Sequence, residues 1–201
     1  LHTFILSLGF ACCNGDPCFY YLRVKGFLTF LATHVDDTLI VCSHLSTLNE
    51  LKEAFKARFK VKDQGAIHGR PFLGVEVEHD QPIGIVNLHC DNYIQSSLEK
   101  LGVNINQLHP VSTPISPIDP NVPTQPASSM AKQPSWNLRQ LAGILIYAAS
   151  TCRPDLAVAA SMLSSTKWDN ILTRDIENGE RAIRYLVGTL RRQPRLGLRY
   201  N

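Results

Sequence analysis

Two adjacent carboxylates, Asp36 and Asp37, interrupt the otherwise apolar run "FLTFLATHVDDTLIVCS" at residues 27–43. Ionised carboxylates persist in such a run only where the chain turns and leaves them in water, or where a cation compensates them. Each alternative has its own chemistry. Turns accept Asp because its short side chain hydrogen-bonds nearby backbone. A carboxylate pair at a hairpin tip can also hold divalent cations, and nucleotidyl transfer uses two such ions about 4 Å apart. Mg²⁺ takes hard oxygen ligands and keeps several waters, so few protein carboxylates are needed. From these residues alone, a solvated turn and a metal site both stand.

The second chemistry-bearing feature is the final stretch "RAIRYLVGTLRRQPRLGLRY". It carries Arg181, Arg184, Arg191, Arg192, Arg195 and Arg199 and no acidic residue. It reads either as a solvated helix face or as a phosphate-facing patch. The net charge of +3 permits a polyanionic partner without requiring one. The six cysteines include no CxxC pair and no histidine at zinc-finger spacing. They read as reduced thiols of an intracellular protein.

The elements that position these residues follow from periodicity. "LHTFILSLGFACC" has apolar residues at helical spacing and no basic leader, so an amphipathic helix is expected there rather than a signal peptide. No apolar run reaches the roughly 18 residues of a membrane span. "FYYLRV" and "FLTFLATH" read as strands joined at Lys25 and Gly26, and "TLIVCS" as a third, with the turn at Val35, Asp36 and Asp37. Leu48, Leu51, Phe55 and Phe59 form one stripe of a helix, with Thr47 and Glu50 in capping-box spacing. In "PFLGVEVEHDQPIGIVNLHC", Leu73, Val75 and Val77 alternate with Gly74, Glu76 and Glu78, which predicts a hairpin with a wet Glu76 face. A short helix should follow, capped by Asp91 or Asn92 and ended by Gly102. Between residues 109 and 136 stand seven of the twelve prolines, which excludes helix and central strand. The remainder reads as three apolar-striped helices.

The text around the aspartates resembles the copia-type (pseudoviral) retrotransposon reverse transcriptase. "HVDDTLIV" is similar to that family's YVDD-like signature, and "FKVKDQG…FLGVEVEHD", "PVSTP", "LRQLAGILIYAASTCRPDLAVAASMLS" and "RAIRYLVGT…LGLRY" resemble its downstream segments in order. The resemblance implies an α+β fold: a partial palm, an antiparallel sheet with covering helices, followed by a small helical region. The implied organisation is a partial palm at 1–108, a proline-rich linker at 109–136 and a helical connection region at 137–201. It implies RNA-directed DNA polymerase chemistry, with Asp36 and Asp37 as catalytic carboxylates and ligands of Mg²⁺ or Mn²⁺. The family's first catalytic Asp belongs to an earlier strand, upstream of this chain's first residue. His34 stands where the family has Tyr, beside the primer end. Phe72, Leu73 and Gly74 match the primer-grip hairpin. Arg181, Arg184, Arg191 and Arg192 would carry contacts to nucleic acid. The implied partners are a primer–template, deoxynucleotides and the rest of a polyprotein, with fingers upstream and ribonuclease H downstream. The implied location is a cytoplasmic particle or the nucleus. The alternative is a repurposed, non-catalytic remnant that binds nucleic acid or protein.

Overall fold

Alternating apolar residues at residues 11–42 build a four-stranded antiparallel sheet: β1 (Ala11–Cys12), β2 (Phe19–Val24), β3 (Phe27–His34) and β4 (Asp37–Cys42), in that spatial order. The computed structural model describes residues 1–24, 26–117, 125–129, 134–190, 192 and 195–200. Lys25, at the β2–β3 connection, and Arg191 lie outside them. The chain forms two compact units, Leu1–Gly65 and Ala66–Asn201.

In the first unit, one sheet face presents Tyr20, Leu31, Leu22 and Ile40. Helix α1 (His2–Ser7) contributes Ile5 to the same core, and α2 (Leu45–Arg58) contributes Leu51 and Phe55. Phe4 meets Phe55 and Phe59 edge-on, at ring-centroid distances of 5.3 and 5.1 Å. The stripe read from the sequence is thus the buried one. The capping box is not formed: α2 begins at Leu45, after His44 at the N-cap with no side-chain cap. Thr47 and Glu50 therefore lie inside the helix.

The second unit holds another antiparallel sheet: β5 (Arg70–Phe72), β6 (Val75–Asp80), β7 (Ile85–His89) and β8 (Leu198–Tyr200), also in that order. Its helices are α3 (Asp91–Lys100), α4 (Leu138–Thr151), α5 (Ala157–Ser164) and α6 (Thr173–Leu190). They share one core with Ile94, Leu98, Leu141, Leu145, Leu156, Leu163, Ile183 and Leu186 at its centre. The α+β expectation holds: two antiparallel sheets and six helices stand among the described residues.

Helix α3 ends as its sequence predicts. Gly102, at φ +81°, lets its own N–H donate to Glu99 O and Val103 N–H to Leu98 O, which is the Schellman arrangement. Its start differs. Cys90 is the N-cap, and Asp91 lies buried in the first turn without capping it.

The expected polarity of β6 is reversed at Glu76, which is 4% exposed. Helix α3 begins over that face, where the Asn92 N–H donates to Glu76 Oε2 at 3.4 Å and His89 Nδ1 lies 3.1 Å away. A helix N-terminus compensates a buried carboxylate in a way that alternation of sequence cannot reveal. The described parts of the proline-rich stretch place Val111, Ile115 and Trp136 against the helical core, and Ala127–Ser129 form one 3₁₀ turn.

Candidate active site

The β3–β4 hairpin closes through a two-residue loop, Val35–Asp36, because His34 pairs with Asp37 across it. Asp36 is therefore a loop residue and Asp37 the first residue of β4. Val35 sits at φ +51° and is 83% exposed. A β-branched residue in the left-handed region is strained. The hairpin's register holds it there.

Partners in register share a sheet face. His34 and Asp37, Ala32 and Leu39, and Phe30 and Val41 therefore lie together, opposite the face covered by α1 and α2. Asp37 thus belongs to the side of the sheet that the unit's own helices leave open. Apolar side chains continue that side: Phe19 stacks on Phe30 at 5.6 Å, and Tyr21, Leu28 and Val41 are exposed. Asp36 and Asp37 are both exposed, and neither carboxylate has a hydrogen-bond or ion-pair partner among the described residues. Two exposed, unengaged hard oxygen donors fit Mg²⁺ or Mn²⁺ as part of a ligand set. No group of three or more His, Cys, Asp or Glu capable of holding a metal occurs among the described residues.

Phe72, Leu73 and Gly74 occupy the second unit. Phe72 pairs with Val75, so Leu73 and Gly74 form a two-residue turn, with φ +53° and +79°. Two successive positive φ values define the I′ type that suits the twist of a hairpin. Tyr147, from α4, donates its hydroxyl to Leu73 O at 2.6 Å.

The arginines divide by environment. Arg181 NH2 donates to Thr113 Oγ1 at 2.8 Å, and Arg184 Nε to His109 O at 2.7 Å. Both tie α6 to the start of the proline-rich stretch. Arg195 pairs with Asp91 at 2.9 Å and lies 3.6 Å from Glu78. Arg192 and Arg199 are exposed.

Sequence reasoning missed Arg153, which is fully buried. Its Nε and NH2 grip the two oxygens of Asp155 at 3.0 and 2.8 Å, and NH2 also reaches Thr189 Oγ1 at 3.1 Å. The Tyr185 hydroxyl donates to the same carboxylate at 2.8 Å. Burial raises the Asp155 pKa, but the hydrogen bonds and charge of Arg153, together with Tyr185, outweigh it and hold the carboxyl below its ordinary range. Asp155 lies in the first turn of the 3₁₀ segment Pro154–Leu156 and is at the same time the partner of Arg153. All six cysteines are free thiols.

The chain belongs to the reverse transcriptase (RNA-dependent DNA polymerase) family, whose model matches residues 3–117. It is 28% identical to a retrovirus-related Pol polyprotein from transposon RE1 of Arabidopsis thaliana, over 94% of this chain and 12% of that one. It is 23% identical to a putative transposon Ty5-1 protein of Saccharomyces cerevisiae, over 94% of this chain and 58% of that one. It is 30% identical to an uncharacterized mitochondrial protein of Arabidopsis thaliana, over 80% of this chain and 62% of that one. The chain thus spans less than two thirds of each of these relatives. No solved structure matches it. The copia-type resemblance drawn from the motifs is borne out, as is a reverse-transcriptase segment of a transposon polyprotein.

Proposed function

We propose that this segment supplies two of the catalytic carboxylates of an RNA-directed DNA polymerase, together with the turn that grips its primer. The observation that carries the reading is the pair Asp36 and Asp37: unengaged, exposed, and set at the open side of a helix-backed sheet in a reverse-transcriptase chain. The reaction joins a primer 3′-hydroxyl to the α-phosphate of a deoxynucleotide and releases pyrophosphate. Bound Mg²⁺ or Mn²⁺ supplies activation of the hydroxyl and neutralisation of the leaving group.

The chain's residues divide the work. Asp37 is fixed by strand pairing and offers a constant ligand position. Asp36, one residue earlier, stands in the two-residue loop that the same pairing closes. His34 shares Asp37's face and stands where the family has Tyr, which supports a contact of its planar ring with the primer end. Phe72, Leu73 and Gly74 hold the primer terminus. Arg192 is exposed in the basic stretch, which supports a contact with phosphate. A third carboxylate, by the family's pattern, comes from an earlier strand of the polyprotein, and the partners are primer–template, deoxynucleotides and the polyprotein's other domains. No described helix is long and apolar enough to cross a membrane. The substitution of His34 for Tyr favours one second reading, a non-catalytic nucleic-acid binder.

Primer extension on an RNA template with Mg²⁺ tests the proposal, using this segment joined to the preceding polyprotein sequence. Asp36→Asn and Asp37→Asn should each lower extension at least about a hundredfold, since a catalytic metal ligand contributes several kcal/mol. Extension that survives both substitutions would refute the assignment.

A further inference from the structure

We propose that Tyr147 is a positioning residue that fixes the Leu73–Gly74 turn for the primer end; this rests on the primer-gripping role given above to Phe72, Leu73 and Gly74. A two-residue I′ turn leaves the carbonyl of its first residue pointing outward without a ladder partner, and that carbonyl is Leu73 O. Its donor comes from 74 residues away, the Tyr147 hydroxyl at 2.6 Å.

The turn needs this support. Position 73 has φ +53°, where Asn or Gly is the usual residue, yet Leu occupies it with its side chain 44% exposed. Burial of that side chain therefore does not hold the backbone in place. Gly74 completes the fit: a Cβ there would lie 2.5 Å from the Tyr147 oxygen, so only glycine admits the phenol. Tyr147 is itself fixed, with its ring 4.3 Å from that of Tyr93 on α3. Burial, with Cys90 next in effect, raises the phenol above its ordinary range, so the hydroxyl keeps its proton and donates. A strained turn, a glycine cut to admit one oxygen, and a remote donor aimed at the orphan carbonyl all converge on this tyrosine. In consequence, two helices set where Phe72 and Leu73 stand.

The test uses the 201-residue chain and two RNA–DNA duplexes of equal length, one with a recessed primer 3′ end and one blunt, read by fluorescence anisotropy. Tyr147→Phe removes one hydrogen bond and keeps the ring. The wild type should prefer the recessed end, and Tyr147→Phe should lower that preference about fivefold while leaving blunt-duplex affinity unchanged. Equal weakening on both duplexes would make the tyrosine a packing residue only and overturn the proposal. An unchanged preference in Tyr147→Phe would also overturn it while leaving the primer-grip reading intact. No preference in the wild type would remove that reading, and the proposal with it.

Discussion

Replacing Val35 by Gly should stabilise the β3–β4 hairpin. Val35 holds φ +51° at the first loop position and is 83% exposed. The left-handed conformation costs an L-residue about 1–2 kcal/mol. Glycine removes that cost, but the freer unfolded chain takes back about 0.5–1 kcal/mol. Loss of the valine side chain adds little, because most of it is already in water. The balance is a gain of about 0.5–1 kcal/mol, or a two- to fivefold slowing of amide exchange across the hairpin. Val35→Ala keeps Cβ and the left-handed penalty, so its exchange should change by less than about twofold. Exchange measured by NMR at the cross-strand amides of Ala32, Leu39 and Val41 reads this directly. Faster exchange in Val35→Gly, or equal slowing in Val35→Ala, would show that Val35 is not strained as described. If the strain serves to aim Asp36, the glycine variant should also bind Mn²⁺ more weakly.

Other substitutions probe the second unit. Arg153→Leu leaves Asp155 without its main partner and should cost about 3 kcal/mol or more in urea unfolding, since breaking a buried pair strands a charge. Asp155, held below its ordinary range, stabilises fully above about pH 4, and that contribution is lost as pH falls through its folded-state value. Asp155→Asn should accordingly flatten the decline of stability below about pH 4, measured as unfolding midpoint against pH. Gly74→Ala must place a methyl 2.5 Å from the Tyr147 oxygen at φ +79°, and should cost about 2 kcal/mol. Arg184→Ala should speed amide exchange around His109 with little effect on duplex affinity, whereas Arg192→Ala should lower duplex affinity and its salt dependence.

Local signals carried much of this fold into the sequence. The β3–β4 turn was legible because Asp-Asp cannot continue a buried strand, and α2 because Leu51 and Phe55 fall on one stripe. The α3 terminus was legible because Gly102 has one conformational use there. What escaped depended on partners distant in sequence. Glu76 obeys alternation as a wet residue, yet the start of α3 compensates it in the interior. Arg181 and Arg184 look like a phosphate-facing row, but Thr113 and His109, about 70 positions earlier, accept hydrogen bonds from them. Tyr147 reads as one more apolar position of α4, because nothing near it in the sequence announces the Leu73 carbonyl. At the site, the carboxylates were visible as residues. That Asp37 faces the helix-free side follows only from strand register.

The role proposed for Asp36 and Asp37 is cation ligation. Mn²⁺ titration followed by paramagnetic broadening of backbone amide signals tests it without requiring turnover. Broadening should begin at Val35, Asp36, Asp37 and Thr38 and should disappear from them in Asp36→Asn/Asp37→Asn. Broadening that starts elsewhere, or that persists at the hairpin in the double variant, would contradict it.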